Sequence, residues 1–199
     1  MLAEIRQKSK FLENFLGNVF SKLGLTSNQF TLLSVVFAVL TAYFLIKLKF
    51  VLAFICFFAA GILDLIDGAV ARRKGLVSKK GAYLDTVVDR YVEIIILLGF
   101  LFLPLPKIIF PSYVWIFLSL TGSIMTTYVK AAAKEKEMIY EEMKTGFFGR
   151  TERMIAIGLA ILLGIYDIPL AIYAIIALAV SSNITALQRM VLAFKSAEN

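Results

Sequence analysis

Residues 64–90 read DLIDGAVARRKGLVSKKGAYLDTVVDR. Four aspartates, Asp64, Asp67, Asp85 and Asp89, lie here inside or at the ends of hydrophobic runs. A carboxylate near hydrocarbon costs a few kcal/mol or more, so it stays there only with a partner or a task. On a helix, Asp64 and Asp67 share a face at a spacing of three, and Asp85 and Asp89 at a spacing of four. Gly68, Ala71 and Gly81 are small enough to let helices approach, or to leave room for a ligand against the backbone. Arg72 follows at once, with Lys79 and Lys80 in the connection. Carboxylates, small residues and cations together suit a divalent ion and phosphates. Oxygen ligands alone favour Mg²⁺, Mn²⁺ or Ca²⁺ over zinc.

Outward from this stretch, the chain is built for lipid. Of its 199 residues, 60% are hydrophobic and 18% charged, and mean hydropathy is +0.83. A soluble domain has about 25% charged residues. The reading is an all-α integral membrane protein of one catalytic unit. Six apolar runs approach the roughly 20 residues that a span needs. They are Asn28–Ile46, Val51–Val70, Ala82–Leu103, Ser112–Ala133, Arg150–Tyr166 and Pro169–Leu187. Six transmembrane helices are therefore expected over residues 26–199.

Residues 1–25 differ. Ile5, Phe11, Leu12, Phe15, Leu16, Val19, Phe20 and Leu23 recur at helical spacing, with Arg6, Lys8, Lys10 and Lys22 largely between them. That pattern predicts an amphipathic helix, either in the membrane interface or packed on the end of the bundle. The stretch is too charged for the core of a cleavable signal peptide.

All but Lys47, Lys49 and Lys107 of the 21 Lys and Arg fall on one side of the six-span plan. The positive-inside rule puts both termini and the aspartates on the cytoplasmic side of the cell membrane. This asymmetry accounts for the net charge of +7 without calling on nucleic acid. Histidine is absent, which excludes a histidine base or metal ligand and leaves Asp, Glu, Lys, Tyr or water for proton transfer. The single Cys56, in an apolar run, reads as a small buried hydrophobe. The aspartates would also suit a cation or proton path; a fixed positive charge at Arg72 speaks against one.

Asp64, Asp67, Gly68, Ala71, Arg72, Gly81, Asp85 and Asp89, eight positions at fixed spacing over 26 residues, resemble the signature of the CDP-alcohol phosphotransferases. The segment Thr26-Ser27-Asn28-Gln29 resembles the family's opening of the first span, with Ser27 where proline is common. The resemblance implies transfer of a phosphatidyl-type group from a CDP-linked lipid to an alcohol, with CMP leaving. It implies one or two Mg²⁺ or Mn²⁺ ions held by Asp64, Asp67 and Asp85, with Asp89 beside the second ion and acting as general base. Thr26, Ser27, Asn28, Gln29, Gly68, Ala71, Arg72, Ser78 and Gly81 would bind the CDP-lipid. A homodimer is implied as well.

The acceptor should be read from the second half. Lys130 follows Thr127-Tyr128-Val129, Arg150 and Arg153 stand three apart, and Arg189 follows Gln188. All four cations are expected at the depth of the aspartates, and forked guanidiniums suit a phosphate. These segments resemble the inositol-phosphate-using branch, which implies that Lys130, Arg150, Arg153 and Arg189 bind the acceptor phosphate. Ala132 departs from the pattern, standing where arginine is frequent in bacterial members. The expected acceptor is myo-inositol 1-phosphate, with glycerol 3-phosphate as the alternative. The donor would be CDP-archaeol or CDP-diacylglycerol.

Overall fold

A computed structural model describes residues 15–139 and 146–197. Among them stand six long helices: α1 (Ser27–Ile46), α2 (Phe50–Arg73), α3 (Lys79–Phe100), α4 (Ser112–Glu135), α5 (Arg150–Tyr166) and α6 (Ala171–Ala197). Their positions follow the six apolar runs. Several boundaries have a local cause. Thr26 opens α1 in a capping box with Gln29, whose Oε1 accepts from the Thr26 N–H at 2.8 Å. Ser78 opens α3, its hydroxyl accepting from the Gly81 N–H at 3.1 Å. Such caps satisfy N–H groups that a helix start leaves without a partner. Beyond the end of α3, Pro104 and Pro106 supply no N–H for a further turn.

α1, α2 and the Ile168–Ala197 segment that contains α6, together with α4, are long and apolar enough to cross a membrane. The other two depart from that standard for visible reasons. α3 carries Lys79, Lys80, Asp85, Asp89, Arg90 and Glu93, and α5 has only 17 residues, beginning Arg-Thr-Glu-Arg. The protein is a multi-pass helical membrane protein. Cys56 is buried and unpaired by a disulfide.

Packing divides the bundle into two halves. α1 lies along α2 and α3, and α4 lies along α6, with α5 against α6. α2–α5 and α3–α4 contacts join the halves. The joint is a continuous apolar core that includes Leu45, Ile96, Leu97, Phe100, Ile116, Ile157, Ile161, Ile172, Ile175 and Leu178.

Most of the expected N-terminal amphipathic helix lies outside the described residues. Its end is helical over residues 15–20 and tightens into a turn at Ser21–Leu23. Leu16 and Phe20 pack with Phe30, Ile66 and Val70, and the Phe20 and Phe30 rings meet edge to face at 6.1 Å. Gly17 is what lets the segment come so close: a Cβ there would lie 3.0 Å from the Ala69 carbonyl oxygen. The described part of this segment is therefore packed onto the bundle end that bears the aspartates.

Candidate active site

The last turns of α2 meet the first turns of α3. Oxygens of Asp64, Asp67 and Asp85 come within 4.8 Å of one another. Asp67 is buried and fixed from α1. Its Oδ2 accepts from Thr31 Oγ1 at 2.7 Å, and its backbone carbonyl accepts from Ser27 Oγ at 2.9 Å. Asp85 Oδ1 is buried with no hydrogen-bond partner among the described residues. A cavity of about 230 Å³ opens on these groups, lined by Leu16, Asp64, Leu65, Asp67, Gly68, Arg72, Asp85 and Arg150. Gly68 makes room beneath Arg72: a Cβ on it would lie 3.3 Å from the Arg72 guanidinium.

Three crowded carboxylates with an orphaned buried oxygen fit a hard divalent cation. Like charges at this distance repel unless a cation lies among them, and carboxylate oxygens are the donors that Mg²⁺ and Mn²⁺ prefer. Asp89, one turn after Asp85, is also buried. Arg150, from the start of α5, bridges the halves by pairing with Asp89 and with Asp64, the latter at 2.9 Å.

The expected acceptor cations are distributed differently from the sequence reading. Arg150 sits among the aspartates. Arg153, one turn on, is 1% exposed and is held on three sides. Its Nε donates to Glu93 Oε1 at 2.6 Å, its Nη2 to Glu93 Oε2 at 3.4 Å and its Nη1 to Thr126 Oγ1 at 2.9 Å. Arg90 Nη1 also reaches Glu93 Oε2, at 2.9 Å. Arg189 Nη1 donates to the Thr126 carbonyl at 2.6 Å. Thr126 thus joins Arg153 and Arg189. Lys130 stands one turn beyond Thr126 on α4 and is partly buried. Gly146 has a φ of +115°, and a Cβ there would lie 2.6 Å from Thr185 and 3.1 Å from Arg189 Nε, so the chain closes over Arg189 only with glycine.

Among the expected CDP contacts, Gly68 and Arg72 line the aspartate cavity. Ser27 and Thr26 stand at the start of α1, and a Cβ on Gly81 would lie 3.7 Å from Asn28 Oδ1. Ser78 and Gln29 act as caps here. Sequence reasoning missed Thr31, Arg90, Glu93 and Thr126. A signal existed for Glu93, because Asp85, Asp89 and Glu93 continue one spacing of four along α3. Thr31 is four residues after Ser27, on the face of α1 that meets Asp67.

Grouped carboxylates beside fixed guanidiniums, at one end of apolar helices, define a membrane enzyme for the chemistry of phosphate groups on lipids. The chain belongs to the CDP-alcohol phosphatidyltransferase family, whose model matches residues 25–193. It is a phosphotransferase of phospholipid biosynthesis. Over its whole length it is 33% identical to the archaetidylinositol phosphate synthase of Pyrococcus horikoshii, covering 99% of that protein. It is 32% identical to the phosphatidylinositol phosphate synthase of Corynebacterium glutamicum, over 96% of this chain and 88% of that one. Among solved structures it resembles Mycobacterium tuberculosis phosphatidylinositol phosphate synthase. The form with CDP-DAG bound has a TM-score of 0.78 at 24% identity, over 92% of this chain and 93% of that one, a likeness of fold. The form with manganese and citrate has a TM-score of 0.77 at 25% identity, over 92% and 88%.

Proposed function

We propose that this chain joins a CDP-linked lipid, CDP-archaeol or CDP-diacylglycerol, to myo-inositol 1-phosphate and releases CMP. The observation that carries the reading is Arg150 paired with Asp64 and Asp89, with Arg153 one turn further along α5 and Arg189 joined to Arg153 through Thr126. The names of the full-length relatives support the acceptor. The bundle would cross the cell membrane six times, with its site and both termini cytoplasmic, and act as a homodimer. The charged starts of α3 and α5 would then lie at the cytoplasmic surface.

In the reaction an acceptor hydroxyl oxygen attacks the lipid-bearing phosphorus of the CDP-lipid. The new P–O bond forms as the bond to the bridging oxygen breaks, and the electron pair leaves with CMP. Asp64, Asp67 and Asp85, with Asp89 beside a second ion, would hold Mg²⁺ or Mn²⁺. Such ions neutralise phosphate charge and stabilise the leaving CMP. Arg72 adds a fixed positive charge to the same phosphates. Gly68, Ala71, Ser78, Gly81 and the Thr26–Gln29 segment would shape the CDP pocket. Asp89 takes the hydroxyl proton; with no histidine in the chain, a buried carboxylate is the available base. Arg150 would leave Asp89 for the acceptor phosphate as the acceptor enters, joining Lys130, Arg153 and Arg189.

Purified protein should be offered both CDP-lipids with inositol phosphate, glycerol 3-phosphate, serine or free inositol, and CMP release measured. Turnover with inositol phosphate that stops in EDTA and returns with Mg²⁺ or Mn²⁺ is the expected result. Turnover with glycerol 3-phosphate in its place would overturn the acceptor, and metal-independent turnover the mechanism. Asp89→Asn should lower CMP release by about 10²-fold or more while CDP-lipid binding persists.

A further inference from the structure

We infer that Glu93 is a positioning residue for the acceptor phosphate, orienting Arg153 directly and Arg189 through Thr126. The inference rests on the proposed use of a phosphorylated acceptor. α3 presents Asp85, Asp89 and Glu93 at successive intervals of four, so all three share one face. The first two turn to the aspartate cluster and Arg150. The third is only 2% exposed and meets Arg153 of α5 and Arg90 of its own helix. Among the described residues it is the carboxylate that touches Arg153.

Its bonding pattern orients Arg153 without using it up. Glu93 grips Nε and one N–H of Nη2, and Thr126 takes one N–H of Nη1. The second N–H on each terminal nitrogen remains for a phosphate oxygen. One carboxylate between two guanidiniums also leaves the group net positive, as an anionic acceptor requires. The Thr126 carbonyl, on the same residue that braces Arg153, holds Arg189 at 2.6 Å. One chain of contacts therefore sets both guanidiniums.

This arrangement gives the acceptor a common ruler. Glu93 lies one helical turn from Asp89, an axial rise of about 6 Å. The proposed base and the anchor of the phosphate pocket are thus on one rigid helix. A polyol held by its phosphate at Arg153 and Arg189 would present a hydroxyl toward Asp89. A buried ion pair contributes little to stability compared with apolar packing, so its value here lies in orientation.

The test compares wild type, Glu93→Gln and Thr126→Val as full-length protein in nanodiscs. Glutamine keeps the shape and removes the charge that aligns the guanidinium. The acceptor KM should rise by about 10-fold or more, with a smaller change in kcat. The CDP-lipid KM and Mn²⁺ affinity, read by electron paramagnetic resonance, should move less than twofold. Inhibition by inorganic phosphate should weaken in parallel with the acceptor KM. Equal shifts in donor KM and Mn²⁺ affinity, or an unmoved acceptor KM, would overturn the positioning role. If Glu93→Gln does not fold, Thr126→Val decides by the same readouts, because it removes one brace of Arg153 and keeps the carbonyl that holds Arg189. The assay uses whichever phosphorylated acceptor wild type turns over. A wild-type preference for glycerol 3-phosphate thus rejects the inositol reading alone, and an unmoved acceptor KM in the variants rejects the role of Glu93 alone.

Discussion

The two halves of the bundle treat charge in opposite ways. In the α1–α3 half, three carboxylates are gathered around a cavity and one buried oxygen of Asp85 has no hydrogen-bond partner among the described residues. In the α4–α6 half, Arg153 is buried and bonded by Thr126 of α4 and, across the seam, by Glu93 of α3. The first arrangement is incomplete without an external cation. The second has its charge paired within the protein, across the seam to Glu93, and serves as a frame. Arg150 crosses between them, taking a place among the carboxylates from the start of α5. Chemistry rather than size marks the site. A larger hollow of about 500 Å³ lies at the other end of the bundle, between Leu48–Leu52 and Gly164–Ile168, but the charged side chains that line it are only Lys49 and Asp167.

The sharpest way to break this contrast is Asp85→Asn. If the first half depends on an external cation, the variant should lose Mn²⁺ binding and at least about 10³-fold of CMP release, in keeping with the several kcal/mol a bound divalent ion contributes. Retained Mn²⁺ affinity would show that the unpartnered Asp85 oxygen is not what holds the cation.

The second half should respond through stability. Arg153→Ala leaves Glu93 buried beside Arg90 alone, and loss of one partner of a buried pair costs about 3–5 kcal/mol. Denaturant unfolding in detergent should report it. A variant as stable as wild type would mean that Arg153 is not a frame.

Within the first half, Gly99→Leu probes the close approach of α3 to α1. A Cβ at Gly99 already lies 2.9 Å from Ala42 Cα, so the added side chain must push the helices apart, at about 1–3 kcal/mol. The expected signs are a lower Tm and weaker Mn²⁺ binding, since α1 also holds Asp67.

The smallest effect concerns the bridge. Arg150→Ala removes a cation from Asp64 and Asp89, and Mn²⁺ should bind about 10-fold tighter, or roughly 1.4 kcal/mol. A fall in Mn²⁺ affinity would mean that Arg150 organises the carboxylates rather than competing for them.

The grouping of the aspartates was legible in the residues. The aspartates declared themselves by the cost of placing charge in apolar runs, and their spacing put them on shared helix faces. Thr31 was not legible, because a threonine four residues into an apolar helix is unremarkable until α2 is seen beside it. Lys130, Arg150, Arg153 and Arg189 could be picked out from the sequence as cations expected at one depth, but their partners could not. Arg150 and Arg153 are three residues apart, yet one turns to Asp64 and Asp89 and the other to Glu93.

By itself the sequence determined the six helices and the family of the chain, because periodicity, length and local spacing are properties of the chain alone. Tertiary structure decided which charge meets which. It set Arg150 against the aspartates, buried Arg153 on Glu93 and made Thr126 a junction. Those pairings depend on the rotation and depth of helices distant in sequence, and buried charges settle wherever packing brings a partner within hydrogen-bond reach.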